Sequence, residues 1–125
     1  VKIEYNRKLS KLVYAGADMF LMPSRSEPCG LAQMIASRYG TVPIVREAGG
    51  LYDTIKPYYE GDGNGFTFAA YNARDMLSVI DQAIALYHDK EKWTALVKKV
   101  MKTDFSWNVS AEKYAELFLS LSPEN

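Results

Sequence analysis

Along most of the chain, short apolar runs alternate with segments whose apolar residues recur at helical spacing. Residues 1–5, Val1-Lys2-Ile3-Glu4-Tyr5, alternate apolar and polar positions and predict a strand. Leu9, Leu12, Val13 and Ala17 mark a short helix, and Asp18-Met19-Phe20-Leu21-Met22 is apolar enough for a buried strand. Beyond a polar loop, Leu31, Met34 and Ile35 with the small residues Ala32, Ala36 and Ser37 repeat at helical spacing as far as Tyr39-Gly40. Thr41-Val42-Pro43-Ile44-Val45 predicts a third strand, closed by Ala48-Gly49-Gly50, and Gly65-Phe66-Thr67-Phe68 a short fourth. Strand and helix in turn, joined by loops of a few residues, imply a parallel sheet flanked by helices. Runs that are apolar throughout suit strands buried on both faces.

The remainder is helical. Asn72 is a good N-cap, and Met76, Leu77, Ile80, Ala83, Ile84 and Tyr87 form one apolar stripe after it. Asp89 caps the next helix, which turns Trp93, Leu96, Val97 and Val100 inward. Ser106 starts the last, where Trp107, Ala111, Tyr114, Phe118 and Leu121 recur at helical spacing. That spacing is what a docked helix requires, and we expect these aromatics to pack in the core.

All 125 residues fit one domain, and 48% hydrophobic with 24% charged residues is ordinary for a globular protein. Fifteen basic and fifteen acidic residues balance. This argues against nucleic acid or an anionic membrane as partner, since such binding rests on clustered Lys and Arg releasing counterions. A single cysteine, Cys29, excludes an internal disulfide and a cysteine-based zinc site. No stretch approaches the ~20 apolar residues that span a bilayer. The amino end carries neither a signal-peptide pattern nor an initiating Met, and the chain is read as a fragment of something longer.

The chemistry concentrates in Pro23-Ser24-Arg25-Ser26-Glu27-Pro28-Cys29-Gly30-Leu31, between a strand and a helix. Open α/β sheets bind ligands outside the carboxyl ends of their strands, where helix starts offer free N–H groups to phosphates or sugars. Glu27 sits at that mouth. It either stabilises the helix dipole by ~0.3–1 kcal/mol or faces a ligand. Pro28 stiffens the backbone beside it and Gly30 permits close approach, which favours the ligand-facing role. Cys29 lies where a thiol is activated, yet the only histidine, His88, is placed near the end of a distant helix, so a Cys–His hydrolase is a poor reading. Gly49 and Gly50 follow the third strand as the Glu27 loop follows the second; they either free N–H groups for a phosphate or sugar or make a tight turn. Glu60-Gly61-Asp62-Gly63-Asn64-Gly65 imitates a calcium loop, but its twelfth position is Tyr71 rather than Glu, so it is read as a turn.

With Glu27-Pro28-Cys29-Gly30-Leu31, Arg38-Tyr39-Gly40-Thr41-Val42-Pro43, Gly49-Gly50-Leu51 with Asp53-Thr54, and Phe105-Ser106-Trp107 in order, nearly the whole chain resembles the bacterial glycogen synthase and plant starch synthase family. The stretch is similar to the later part of that family's C-terminal, nucleotide-sugar-binding domain. The resemblance implies a fragment of a GT-B-type enzyme: a partial Rossmann-like three-layer α/β domain with about four parallel strands, the first displaced, and C-terminal helices. It implies a glucosyltransferase that moves glucose from ADP-glucose to the non-reducing end of an α-1,4-glucan with retention, in the cytoplasm or a plastid, without cofactor or obligatory metal.

By the same resemblance, Glu27 binds donor-sugar hydroxyls and supports positive charge at the anomeric carbon. Cys29, Gly30 and Leu31 line the donor glucose, Gly49 and Gly50 lie near the diphosphate and sugar, and Tyr5 stacks on adenine. Two positions depart from related glycosyltransferases. Ile35 stands where many have a second glutamate, a loss glycogen synthases share, and Ala48 stands where a threonine is common. The basic pair for the diphosphate and the acceptor site belong to parts of the enzyme not represented here. The fragment is therefore expected to be inactive alone and to bind ADP weakly at best. Its residues 1–5 are expected to be displaced, edge-exposed or paired with another copy. The competing reading is a stand-alone nucleotide- or sugar-binding α/β module without catalysis.

Overall fold

The computed structural model describes residues 1–121. Asn6 opens α1 (Arg7–Gly16) by accepting a hydrogen bond from the Leu9 amide at 3.0 Å. Next come β1 (Met19–Met22), α2 (Ala32–Tyr39), β2 (Val42–Arg46), the short α3 (Gly50–Thr54) and β3 (Phe66–Phe68). Helices α4 (Ala73–His88), α5 (Lys90–Lys102) and α6 (Trp107–Ser120) complete the described chain. The strands form one parallel sheet in the order β1-β2-β3, with Met22 opposite Val45 and Arg46 opposite Phe68.

The central strand organises both sides of the sheet. Successive side chains of a strand point to opposite faces. Val42 and Ile44 enter a core with Phe66 of β3, Ala83 of α4 and Trp93, Leu96 and Val100 of α5. Val45 enters a second cluster with Leu51 and Ile55, closed by Met22 and Phe105. Val42, Pro43, Ile44 and Val45 are all buried, as an uninterrupted apolar run requires. The cap positions follow the sequence: Asn72 accepts from the Asp75 amide at 2.9 Å, and Ser106 precedes α6. Asp89 is shared, ending α4 and capping α5 through the Lys92 amide at 3.2 Å.

Two expectations are corrected. The sheet has three strands among the described residues, not four, because residues 1–5 form none. Val1, Ile3 and Tyr5 are fully exposed. Alternation marks two faces but supplies neither a neighbouring strand nor a surface to cover one of them, and without both an extended segment gains nothing. Residues 1–5 are therefore displaced from the sheet, and β1 is left as its edge with Leu21 exposed. The second correction concerns α6, which has no buried residue; Trp107 is 85% exposed and Phe118 66%. Its helical period is real, yet within α6 only Val109 and Ser110 are even half-buried.

Candidate functional site

β1 and β2 run parallel and end side by side, so the segments leaving them meet at one end of the sheet. Loop 23–31 leaves β1, and Glu47, Ala48 and Gly49 leave β2 for α3. Three contacts bind the loop to what lies beneath it. At its start, Arg46 Nη1 donates to the Arg25 carbonyl at 3.0 Å and the Ser24 carbonyl at 3.4 Å, with its guanidinium 5.4 Å from the Tyr71 ring centre. In the middle, the Gly50 amide donates to the Glu27 carbonyl at 3.2 Å. At its end, the two hydrogens of Gln33 Nε2 serve three acceptors, one hydrogen being shared: the Cys29 carbonyl at 3.2 Å, the Gly30 carbonyl at 3.0 Å and Thr54 Oγ1 at 3.1 Å.

The glycines make this contact possible. Gly49 adopts φ +49° and ψ −129°, and a Cβ there would collide with the Glu27 carbonyl oxygen. Gly50 lies under Cys29 in the same way and begins α3. Beside the tight-turn and ligand-facing readings of this pair stands a packing role: the two loops touch backbone to backbone. Gly30 has φ +75°, and a Cβ on it would stand 2.6 Å from Gln33 Oε1.

The Glu27 side chain is half-buried and its carboxylate makes no hydrogen bond or ion pair among the described residues. Its backbone is fixed while its charged end is uncommitted, which suits a group that awaits a ligand. Cys29 is exposed, its thiol directed to the Gly30 carbonyl at 3.7 Å. Leu31 occupies the N-cap of α2 without a side-chain cap bond and is 66% exposed. Glu27, Cys29, Gly30, Leu31, Gly49 and Gly50 therefore gather at one end of the sheet. Tyr5 does not join them; it is exposed at the rim of a shallow groove lined also by Leu9, Val13, Tyr14 and Phe20. His88 ends α4 with its ring edge-on to Tyr87, and among the described residues no group of three His, Cys, Asp or Glu could hold a metal ion.

Sequence reasoning missed Gln33, Thr54 and Arg46. Of the residues in the helical repeat of α2, Ala36 and Ser37 are buried beside Gln33, whereas Leu31 and Ile35 are exposed. The available signal was the small residues Ala36, Ser37 and Gly40 at i+3, i+4 and i+7 from Gln33, the face of closest approach.

An uncommitted carboxylate and two glycine-bearing loops thus meet at the carboxyl ends of a parallel sheet, the end at which open α/β domains hold their ligands. Residues 3–100 match the profile of the family described as Glycosyl transferases group 1, and the chain belongs to that family. It is 57% identical over 123 residues to the glycogen synthase of Bacillus cereus (strain B4264), covering 97% of this chain and 26% of the relative. It is 56% identical over 122 residues to that of Lachnospira eligens, covering 95% and 26%. The chain thus spans about a quarter of the length of the curated relatives it matches.

Among solved structures, the catalytic domain of starch synthase IV from Arabidopsis thaliana, bound to ADP and acarbose, is similar with a TM-score of 0.84 and 43% identity, over 94% of this chain and 25% of that one. Sucrose-phosphate synthase from Thermosynechococcus elongatus, at 23% identity and TM-score 0.65 over 94% and 29%, shares the fold. The GT-B-type α/β fold expected from the sequence stands, with three strands in place of four.

Proposed function

We propose that this segment supplies the donor-sugar side of a glycogen or starch synthase. The parent enzyme transfers glucose from ADP-glucose to the non-reducing end of an α-1,4-glucan with retention of configuration, without a cofactor or obligatory metal. The observation that carries the reading is the Glu27 carboxylate, half-buried and unpaired on a backbone held from below. A fixed carboxylate beside an anomeric carbon stabilises the positive charge that develops as the diphosphate leaves. Free amides at the start of α2 favour negative charge nearby.

In this assignment Cys29, Gly30 and Leu31 line the donor glucose, and Gly49 and Gly50 border the diphosphate and sugar. Tyr5 is assigned to adenine by the resemblance alone. The groups that grip the diphosphate and the acceptor glucan come from the rest of a longer chain, and this segment alone is inactive. The open outer edge of β1 is where further strands, or a second copy, would add. By the resemblance we assign the enzyme to the cytoplasm; separately, no helix among the described residues is long and apolar enough to cross a membrane.

The test is transfer by the full-length protein that contains this segment. Incubated with radiolabelled ADP-glucose and maltoheptaose, it should lengthen the acceptor by α-1,4-linked glucose, with the anomeric configuration read by proton NMR. No transfer from ADP-glucose, or an inverted product, would overturn the reading.

A further inference from the structure

We propose that Gln33 and Thr54 act together as positioning residues for loop 27–31, fixing the backbone from which Glu27 projects. This deepens the donor-site reading and, for its effect on transfer, rests on it.

The first observation is the cost of Gln33. Its side chain is wholly buried, yet its amide oxygen has no hydrogen-bond partner among the described residues. A position that only needed filling would be served by Met or Leu without burying an unpaired acceptor. What Gln33 adds is its donor end, which reaches the two consecutive carbonyls at the loop tip, Cys29 and Gly30. Turning the amide over would set oxygen against both carbonyls, so the donors define its orientation.

The second observation is the direction of the chain of bonds. Thr54 has one hydroxyl proton and donates it to the Gly50 carbonyl at 2.6 Å, which leaves its oxygen to accept from Gln33 at 3.1 Å. Gly50 in turn donates its own amide to the Glu27 carbonyl. The path runs from Glu27 through Gly50, Thr54 and Gln33 back to Cys29 and Gly30, a closed circuit through α3 and α2. The third observation is steric: Gly30, the residue bridging the tip, lies directly against the Gln33 amide. The circuit therefore holds the loop from beneath while leaving its upper surface and the Glu27 carboxylate free.

The test uses the full-length protein with Thr54→Val, Thr54→Ser and Gln33→Met. Hydrogen exchange of the amides in 27–31 is measured alongside kcat and donor KM for glucose transfer and thermal unfolding. Thr54→Val should speed exchange in 27–31 about tenfold and lower kcat by a similar factor, and Thr54→Ser, which restores the hydroxyl, should recover most of both. Combining Gln33→Met with Thr54→Val should cost no more than either alone, as members of one circuit do. The proposal is overturned if exchange and kcat stay within about twofold of the unsubstituted protein, if only the unfolding temperature moves, or if the two effects multiply. Should Gln33→Met not fold, the comparison of Thr54→Val with Thr54→Ser decides. Absence of transfer in the unsubstituted protein would defeat the donor-site reading alone, and the exchange result would then judge the pair.

Discussion

Gly50 lies so close beneath Cys29 that a methyl group on its α-carbon would stand 2.5 Å from the Cys29 α-carbon and collide with the Cys29 carbonyl. This gives a prediction whose sign is informative. Ala is a better helix former than Gly by about 1 kcal/mol, so Gly50→Ala would stabilise α3 if the position were open. With Cys29 overhead, overpacking costs about 1–3 kcal/mol instead. Gly50→Ala should therefore lower the urea midpoint; a raised midpoint would show that the two backbones are not in contact.

The Glu27 carboxylate, without a partner among the described residues, separates activity from stability. In the full-length protein, Glu27→Gln should lower transfer from ADP-glucose by about 10²–10³-fold, the scale of losing one electrostatic contact to a transition state. Its folding stability should change by less than about 0.5 kcal/mol, as expected where no native bond is broken. Transfer near that of the unsubstituted enzyme would remove Glu27 from the centre of the site.

Acid sensitivity should come from carboxylates that folding holds below their ordinary range, Asp62 and Asp89 among them. A hydrogen bond from Lys99 holds the Asp62 carboxyl below its ordinary range, helped by the Gly63 amide and by the Lys99 charge. Asp89 is lowered chiefly by the Lys92 amide it caps. Since folding depresses both, their contribution is complete above the unfolded value of about 3.9 and is lost as pH falls through the lower folded values. The unfolding temperature should accordingly drop below about pH 4. Asp89→Asn, which keeps the acceptor without the titration, should fall less steeply; an unchanged slope would exclude this cap as a source.

The α4 cap offers a simpler check. Asn72→Ala removes the acceptor for the Asp75 amide and should cost about 1 kcal/mol by chemical denaturation, while Asn72→Asp should retain most of it. Equal losses in the two variants would show that the bond to Asp75 is not what counts.

Much of this fold was legible because caps and periods act locally. Asn72, Asp89 and Ser106 announce their helices within one turn, and the uninterrupted run at β2 announces burial on both faces. What failed depended on partners far along the chain. The alternation of residues 1–5 and the aromatics of α6 both describe surfaces, and a surface does not declare what covers it. The site divided in the same way. Glu27 and the glycines stood out by type and place, whereas Gln33 looked like any polar residue on a helix. Its bonds to the Cys29 and Gly30 carbonyls and its 21-residue reach to Thr54 show why an amide is buried there.

Asp89 has one further consequence. Because the same residue ends α4 and caps α5, the corner between them has no spare length. One residue inserted directly after the cap, inside the first turn of α5, would rotate the rest of that helix by about 100° around its own axis. That turn would swing Trp93, Leu96 and Val100 out of the core and bring lysines in. Variation at this corner should therefore take the form of substitution, while the sequence distance from Ala83 to Trp93 stays fixed as a ruler for the whole domain.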